Sequence, residues 1–146
     1  MIVKASTGLR NYVLDTGPMK QALNGHVLKL YGGAMPADAD AAATGTLLAT
    51  VTVNNTGTAL TFSATAANGV LPKNDGEVWS GLVATSGTCT HYRLVDPADT
   101  GAASTTAIRL QGDAGTIGYS LNISDPALTA SEIQNIDYYV IALPAG

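Results

Sequence analysis

The chain has 146 residues, a formal net charge of −4 at pH 7, and only 12% Asp, Glu, Lys or Arg, against about 25% in a typical protein. This length suits one domain with a core of its own, and the single cysteine, Cys89, excludes an internal disulfide framework. The scattered lysines and arginines indicate no nucleic-acid interface, and no apolar run predicts a membrane span. A surface with so few charged residues favours burial against a partner, so we expect this protein to assemble with other protein chains.

The first residues lack the apolar centre and small-residue cleavage site of a secretory signal, so we expect synthesis and assembly in a cytoplasm. Residues 1–25 have helical spacing, since Ser6 or Thr7 precedes apolar residues three and four positions apart, and the pattern restarts at 19–23. We predict a short helical N-terminal segment. It is either an arm that docks on a partner or a helix packed on its own domain.

From residue 26 to 146 the pattern changes to alternation with a period of two. Short runs rich in β-branched and aromatic residues are separated by Gly, Asn, Asp or Pro, at 26–31, 47–53, 60–62, 78–83, 88–95, 108–110, 119–123 and 138–143. About eight such strands predict an all-β domain, either a β-sandwich with jelly-roll connections or a small barrel.

The connections between these runs contain three further features. Residues 34–45 and 96–106 are long and rich in small side chains, which is typical of functional or mobile loops. Gly112–Gly115 is typical of a turn. Thr129 and Glu132 have the spacing of a capping box, which predicts one helical turn before the last strand.

The residues that most often carry catalysis are few. His26 and His91 each lie in a predicted strand, and neither belongs to a nucleophile or metal motif. Cys89 is two positions from His91, which places both on one face of a regular strand. A third orienting group and an oxyanion hole are not indicated, so a small buried thiol is the preferred interpretation.

Two other groups of residues suggest ligands. Asp38 and Asp40 alternate in a loop, as calcium ligands can, but the rest of an EF-hand pattern is missing and solvated carboxylates are favoured. An aromatic row could bind sugars, although strand contexts favour core packing for its members: Trp79, Tyr92, Tyr119, Tyr138 and Tyr139. We therefore assign no catalytic residue, cofactor or metal ligand and predict a non-enzymatic protein.

Five segments carry a resemblance to a known group of proteins: KASTGLRNYVLDTG (4–17), GEVWSGLVATSGTCTHYRLV (76–95), DTGAASTT (99–106), LQGDAGTIGYSLNIS (110–124) and DYYVIALP (137–144). Through them the chain resembles small virion structural proteins of tailed bacteriophages, in particular jelly-roll capsid cement or decoration proteins. The resemblance implies a location in the virion, on the outer capsid lattice. It implies the major capsid protein as partner and self-association as a dimer or trimer. The alternative is a tail structural or receptor-binding module, associated with the tail tip or a fibre.

Overall fold

The computed structural model describes residues 1–143, which contain two helices and twelve strands. The helices are α1 (Thr7–Asp15) and α2 (Met19–Leu23). The strands are β1 (Val3–Ala5), β2 (Val27–Gly32), β3 (Thr46–Val53), β4 (Val70–Pro72), β5 (Trp79–Leu82), β6 (Gly87–Thr88), β7 (His91–Val95), β8 (Arg109–Gly115), β9 (Leu121–Asn122), β10 (Ala127–Leu128), β11 (Ile133–Ile136) and β12 (Val140–Ala142). The all-β prediction is confirmed, with more strands than the eight or so expected.

One sheet dominates the structure. Its strands follow the order β1-β8-β7-β2-β3-β5-β11, every neighbouring pair is antiparallel, and the short β9 lies parallel to β8. Strands β4 and β12 form a separate pair, as do β6 and β10. The long sheet therefore ends in two edge strands, β1 and β11.

The two central strands show why the sheet has two different faces. In the β2–β7 pair, Leu28 lies opposite Leu94 and Leu30 lies opposite Tyr92, and these four side chains belong to the hydrophobic core. The alternate pairs on the other face are Lys29 with Arg93 and Tyr31 with His91. The period-two pattern thus produces one apolar face and one polar face, and both are largely buried.

An aromatic cluster joins distant parts of the sheet within one core. Tyr139 lies 6.0 Å from the ring of Trp79 on β5 and 5.6 Å from the ring of Tyr92 on β7. Phe62 packs edge-on against Trp79, and the hydroxyls of Tyr92 and Tyr139 are 2.9 Å apart. Tyr139 therefore joins side chains of β5 and β7 within a single core.

Residues 1–25 lie against the rest of the chain. β1 pairs with β8, and Leu9 of α1 and Leu23 of α2 are buried in the hydrophobic core. Ser6 caps α1 by accepting from the Leu9 amide, and the same oxygen accepts from the Arg109 amide on β8. The segment contains two helices, as predicted, and a strand that was not predicted, and it is packed on its own domain in this structure.

Two local predictions are wrong. Residues 129–132 form a β-turn and not a helical turn, since the Glu132 amide donates to the Thr129 carbonyl and Ser131 has a φ of 74°. Gly112–Gly115 is the end of β8 and not a turn. The glycine at 112 is required by packing, because the hydroxyls of Tyr92 and Ser120 lie 2.7 Å from the position that a Cβ would occupy.

A pair of leucines on α1 tests whether this segment belongs to the folded domain. Leu9 is 0% exposed and Leu14 is 82% exposed. We expect Leu9→Ala to lower the free energy of unfolding by about 2–5 kcal/mol, because it removes buried methyl groups and leaves a cavity. The matched control Leu14→Ala should change it by less than about 0.5 kcal/mol. Urea unfolding measures both, and equal stability of the two variants would contradict the packing described.

Candidate interaction surface

Cys89 and His91 do not form a nucleophile pair. The Cys89 thiol is buried among apolar side chains and donates to the His91 carbonyl oxygen, 3.7 Å away. Burial raises the pKa of this thiol to about 11, so it stays protonated at neutral pH. The His91 ring stacks on Tyr31, and its Nδ1 lies 3.0 Å from the Thr90 hydroxyl. Burial, and then the charge of Arg93, lower the pKa of His91.

The His26 side chain forms a hydrogen bond between two parts of the sheet. Its Nε2 lies 3.1 Å from the Ile108 carbonyl oxygen, an acceptor, so the ring donates through this nitrogen. Burial lowers the pKa of His26, which favours the neutral ring at neutral pH. The side chain therefore ties the start of β2 to the residue before β8.

Asp38 and Asp40 have protein partners. Asp38 accepts from the Ala41 amide within its own loop. Asp40 accepts from both the amide and the hydroxyl of Thr7, the first residue of α1, at 2.8 and 2.6 Å. Among residues 1–143, no three His, Cys, Asp or Glu side chains are placed to share a metal ion. These carboxylates fix the loop and the start of the helix.

A buried polar layer, which the residue pattern did not predict, lies on the second face of the sheet. Arg93 on β7 donates through Nε to the side chain of Gln111 on β8, and through Nη2 to the carbonyl oxygens of Asp38 and Ala41. Gln111 in turn donates to the Pro36 carbonyl oxygen. Two fully buried side chains of the sheet thus hold the backbone of the loop at residues 34–45.

Arg109 holds the second long loop in the same way. Its guanidinium donates to both carboxylate oxygens of Asp99, at 2.6 and 2.8 Å, and to the carbonyl oxygens of Ala102 and Ala39. Arg109 and Asp99 are both buried, so this pair is shielded from solvent.

In the described part of the chain, the one buried side-chain polar atom that lacks a partner is Nη1 of Arg93.

The two loops therefore form an ordered cover over the polar face. They also bond to each other, because the Ala43 amide donates to the Gly101 carbonyl and the Ser104 amide donates to the Asp40 carbonyl. Small side chains allow both loop backbones to approach the arginines closely. The loops at 34–45 and 96–106 are held in place by the sheet, which favours a structural role for them.

The five aromatic candidates separate into two groups. Trp79, Tyr92 and Tyr139 are buried in the core, as strand packing predicted. Tyr119 and Tyr138 are exposed, so for them the preference for core packing is wrong. The difference between Tyr138 and Tyr139 follows from alternation, since consecutive residues of an extended segment point to opposite sides.

Large apolar side chains are exposed at many positions. Among residues 1–143 there are thirteen: Met1, Ile2, Val3, Val13, Leu14, Leu47, Val78, Leu82, Ile117, Tyr119, Ile133, Tyr138 and Leu143. Single exposed apolar residues are ordinary. Several of these lie at the two edges of the main sheet, where Val3 belongs to β1 and Ile133 pairs with Leu82.

A cleft of about 210 Å³ lies between β1 and the segment that leads into β12, and we name it the seam. Val3 lies on one side, Tyr138 and Val140 lie on the other, and the lining also includes Tyr119 and the buried Leu110. The seam is mainly apolar, and no charged side chain lines it. It is therefore suited to an apolar group.

A second cleft, of about 460 Å³, lies beside α2. Its lining is almost entirely apolar and includes Met19, Val70, Leu71 and Ile141. The charged residue there, Lys20, donates to the Ala64 carbonyl oxygen.

Neither of the two helices within residues 1–143 is long and apolar enough to cross a bilayer.

The buried arginine layer leads to a stability prediction. We expect Arg109→Met to lower the free energy of unfolding by about 3–5 kcal/mol, because it leaves the Asp99 carboxylate buried without its charged partner. Arg10→Met is the control, since Arg10 is exposed on α1. Urea unfolding of both variants checks this, and a stable Arg109→Met protein would show that the layer is dispensable.

The contact between Asp40 and Thr7 leads to a pH prediction. Hydrogen bonds from the Thr7 hydroxyl and then the Thr7 amide lower the pKa of Asp40. A lowered folded pKa stabilises the protein above the unfolded pKa of about 3.9, and this stabilisation is lost as the pH falls through the folded value.

Thr7→Val removes the hydroxyl and keeps the amide, so the Asp40 pKa should rise toward its ordinary value. The titration of the Asp40 carboxyl carbon, followed by NMR, measures this shift. An unchanged Asp40 pKa in the variant would mean that the hydroxyl does not stabilise the carboxylate.

Comparisons with known proteins add no family to this picture. No family model, no curated protein and no solved structure matches the chain. Its function is therefore argued from its own residues and surfaces.

Proposed function

We propose that this chain is a non-enzymatic structural protein of a tailed-bacteriophage particle, acting as a cement or decoration protein on the outer capsid lattice. The resemblance of its five segments to small virion proteins supports the phage assignment. The low content of charged residues supports a surface that is covered by partners.

The observation that carries the proposal is the set of exposed apolar side chains at the β1 edge of the main sheet and beside the seam. Val3 on β1 is 50% exposed, and Tyr119 and Tyr138 beside the seam are 41% and 62% exposed. Covering such side chains stabilises an assembly by roughly 25 cal/mol per Å² of apolar surface removed from water. The edge of β1 also offers unpaired backbone groups to a neighbouring protein.

A cement protein also has to be rigid, and the ordered loops support this. The arginine layer holds residues 34–45 and 96–106 against the sheet, and their small side chains allow a neighbouring backbone to come close. The sandwich or jelly-roll architecture is part of this proposal. It is supported by the contact of Trp79 and Tyr92 with Tyr139 across one core.

The proposed partners are the major capsid protein and further copies of this chain, as a dimer or trimer. Each contact is modest, but many copies on a closed lattice reinforce one another through avidity. The protein would then hold neighbouring capsid subunits together after they have reached their final arrangement.

A tail structural or receptor-binding module is the second candidate. The seam is concave and has two exposed tyrosines on its lining, Tyr119 and Tyr138, which suits recognition of a ligand better than flat lattice contacts do. No nucleic acid or membrane is proposed as a partner.

The two candidates are separated by imaging. Purified protein is mixed with emptied capsids and, separately, with tails, and both samples are examined by electron microscopy. We expect regular density at symmetry-related positions on the capsid lattice. Density on tails alone would move the protein to the tail class, and density on neither particle would contradict both candidates.

A further inference from the structure

We propose that the seam and the free edge of β1 together form a docking site for an extended segment of a partner protein. The segment adds a strand to β1 and inserts one apolar side chain into the seam. This inference rests on the proposed structural function, for which it names the contact surface and the chemistry of the partner.

The free edge of β1 follows from its register with β8. The Asp113 amide donates to the Ile2 carbonyl, and the Ser6 amide donates to the Arg109 carbonyl. Because hydrogen-bonded pairs alternate along an antiparallel ladder, Lys4 also bonds to β8, while Val3 and Ala5 direct their backbone groups away from it. Within residues 1–143, no turn or loop backbone group bonds to Val3 or Ala5 from that outer side.

The opposite side of the seam is also a strand edge. The Lys73 amide donates to the Tyr139 carbonyl and the Leu143 amide donates to the Gly69 carbonyl, so alternate residues of β12 bond to β4. Val140 and Ala142 therefore direct their backbone groups away from β4. Val140 lies opposite Pro72, which has no amide hydrogen to offer, in agreement with this register.

The seam has the size of a side-chain pocket and not of a site for a larger ligand. Its volume is about 210 Å³, whereas drug-sized ligands occupy about 300–1,000 Å³ and a cavity of about 150 Å³ holds benzene. One aliphatic or aromatic side chain fits. Strand addition typically obtains affinity from backbone hydrogen bonds and specificity from such pockets for alternate side chains.

Lys4 determines which charge the partner segment carries at the position opposite it. A residue of the added strand opposite Val3 points toward the seam, and the next residue lies opposite Lys4 on the other face. The Lys4 ammonium donates to the Ala37 carbonyl oxygen and has further hydrogens to offer. An acidic residue at that position gives a favourable cross-strand pair. The partner segment is therefore apolar, acidic and apolar at successive positions.

The same argument disfavours one way in which a second copy of β1 could occupy the site. If Val3 of each copy pairs with Ala5 of the other, the two Lys4 residues lie directly opposite each other. Like charges at that position destabilise the pairing. An acidic residue opposite Lys4 is therefore the better occupant.

Two matched pairs of variants test the site on emptied capsids and tails. Val3 and Ile133 are 50% and 51% exposed, lie on opposite edge strands, and both direct their amides away from the sheet. We expect Val3→Pro and Val3→Asp each to weaken binding about tenfold, through a lost hydrogen bond or a charge in the seam. Ile133→Pro and Ile133→Asp should bind as the unchanged protein does.

Circular dichroism and urea unfolding show whether each variant is folded. If a Pro variant does not fold, the Asp variant at the same position replaces it in the comparison. If the unchanged protein binds a particle and folded Val3 variants bind it equally well, the docking site is wrong while the function stands. Selective loss of binding in the Ile133 variants would equally overturn the docking site.

A peptide experiment tests the site without any particle, so that failure of the function and failure of the site are distinguished. The probe is a capped Thr-Val-Asp-Val-Thr peptide, with Thr-Val-Lys-Val-Thr as its charge-reversed control. We expect the acidic peptide to shift the amide resonances of Val3 and Ala5 more than the basic peptide does. No shift at β1, or equal shifts with both peptides, would overturn the inference.

Discussion

Arg93 and Arg109 are buried on the face of the main sheet that points away from the hydrophobic core, and the arrangement of that face depends on them. A buried guanidinium requires hydrogen-bond acceptors, because an unpaired buried charge costs several kcal/mol. Here the acceptors are mostly backbone carbonyl oxygens of two loops, together with Asp99 and Gln111. Loops of small residues, which have little bulk to bury, are thereby ordered by polar contacts.

This arrangement covers both faces of the main sheet and leaves β1 and β11 as its edge strands. The polar face is covered by its own loops and the apolar face by the core, so the backbone groups that the main sheet leaves unpaired lie on its edge strands, where Val3 and Ile133 are also exposed. β1 and β12 border the same cleft without pairing with each other. An edge of this kind is a hazard for a free protein and an advantage for one that acts within an assembly.

The sequence predicts most strongly where alternation is strict. Strands β2, β3 and β7 lie where the period of two placed them. Strands β1, β4, β10 and β11 were missed, because two to four residues are too few to show a clear period. Gly112 was misread because a glycine required by the packing of Tyr92 looks the same in a sequence as a glycine in a turn.

The candidate site was less predictable, for a related reason. Nothing in the order of residues shows that Arg93 and Arg109 face inward or that Val3 lies at an edge, because both facts depend on long-range strand pairing. Likewise, alternation predicts that Tyr138 and Tyr139 face opposite sides but does not indicate which one enters the core. The absence of enzymatic activity stays a prediction.

The central claim is that the β1 edge of the sheet and the seam beside it are covered in a phage particle. Hydroxyl-radical footprinting of the free protein and of purified particles that contain it measures this directly at side chains. The account predicts that Val3, Tyr119 and Tyr138 are oxidised in the free protein and protected in the particle, while the exposed Leu14 on α1 is oxidised in both. Equal oxidation of Val3, Tyr119 and Tyr138 in the two samples would contradict it.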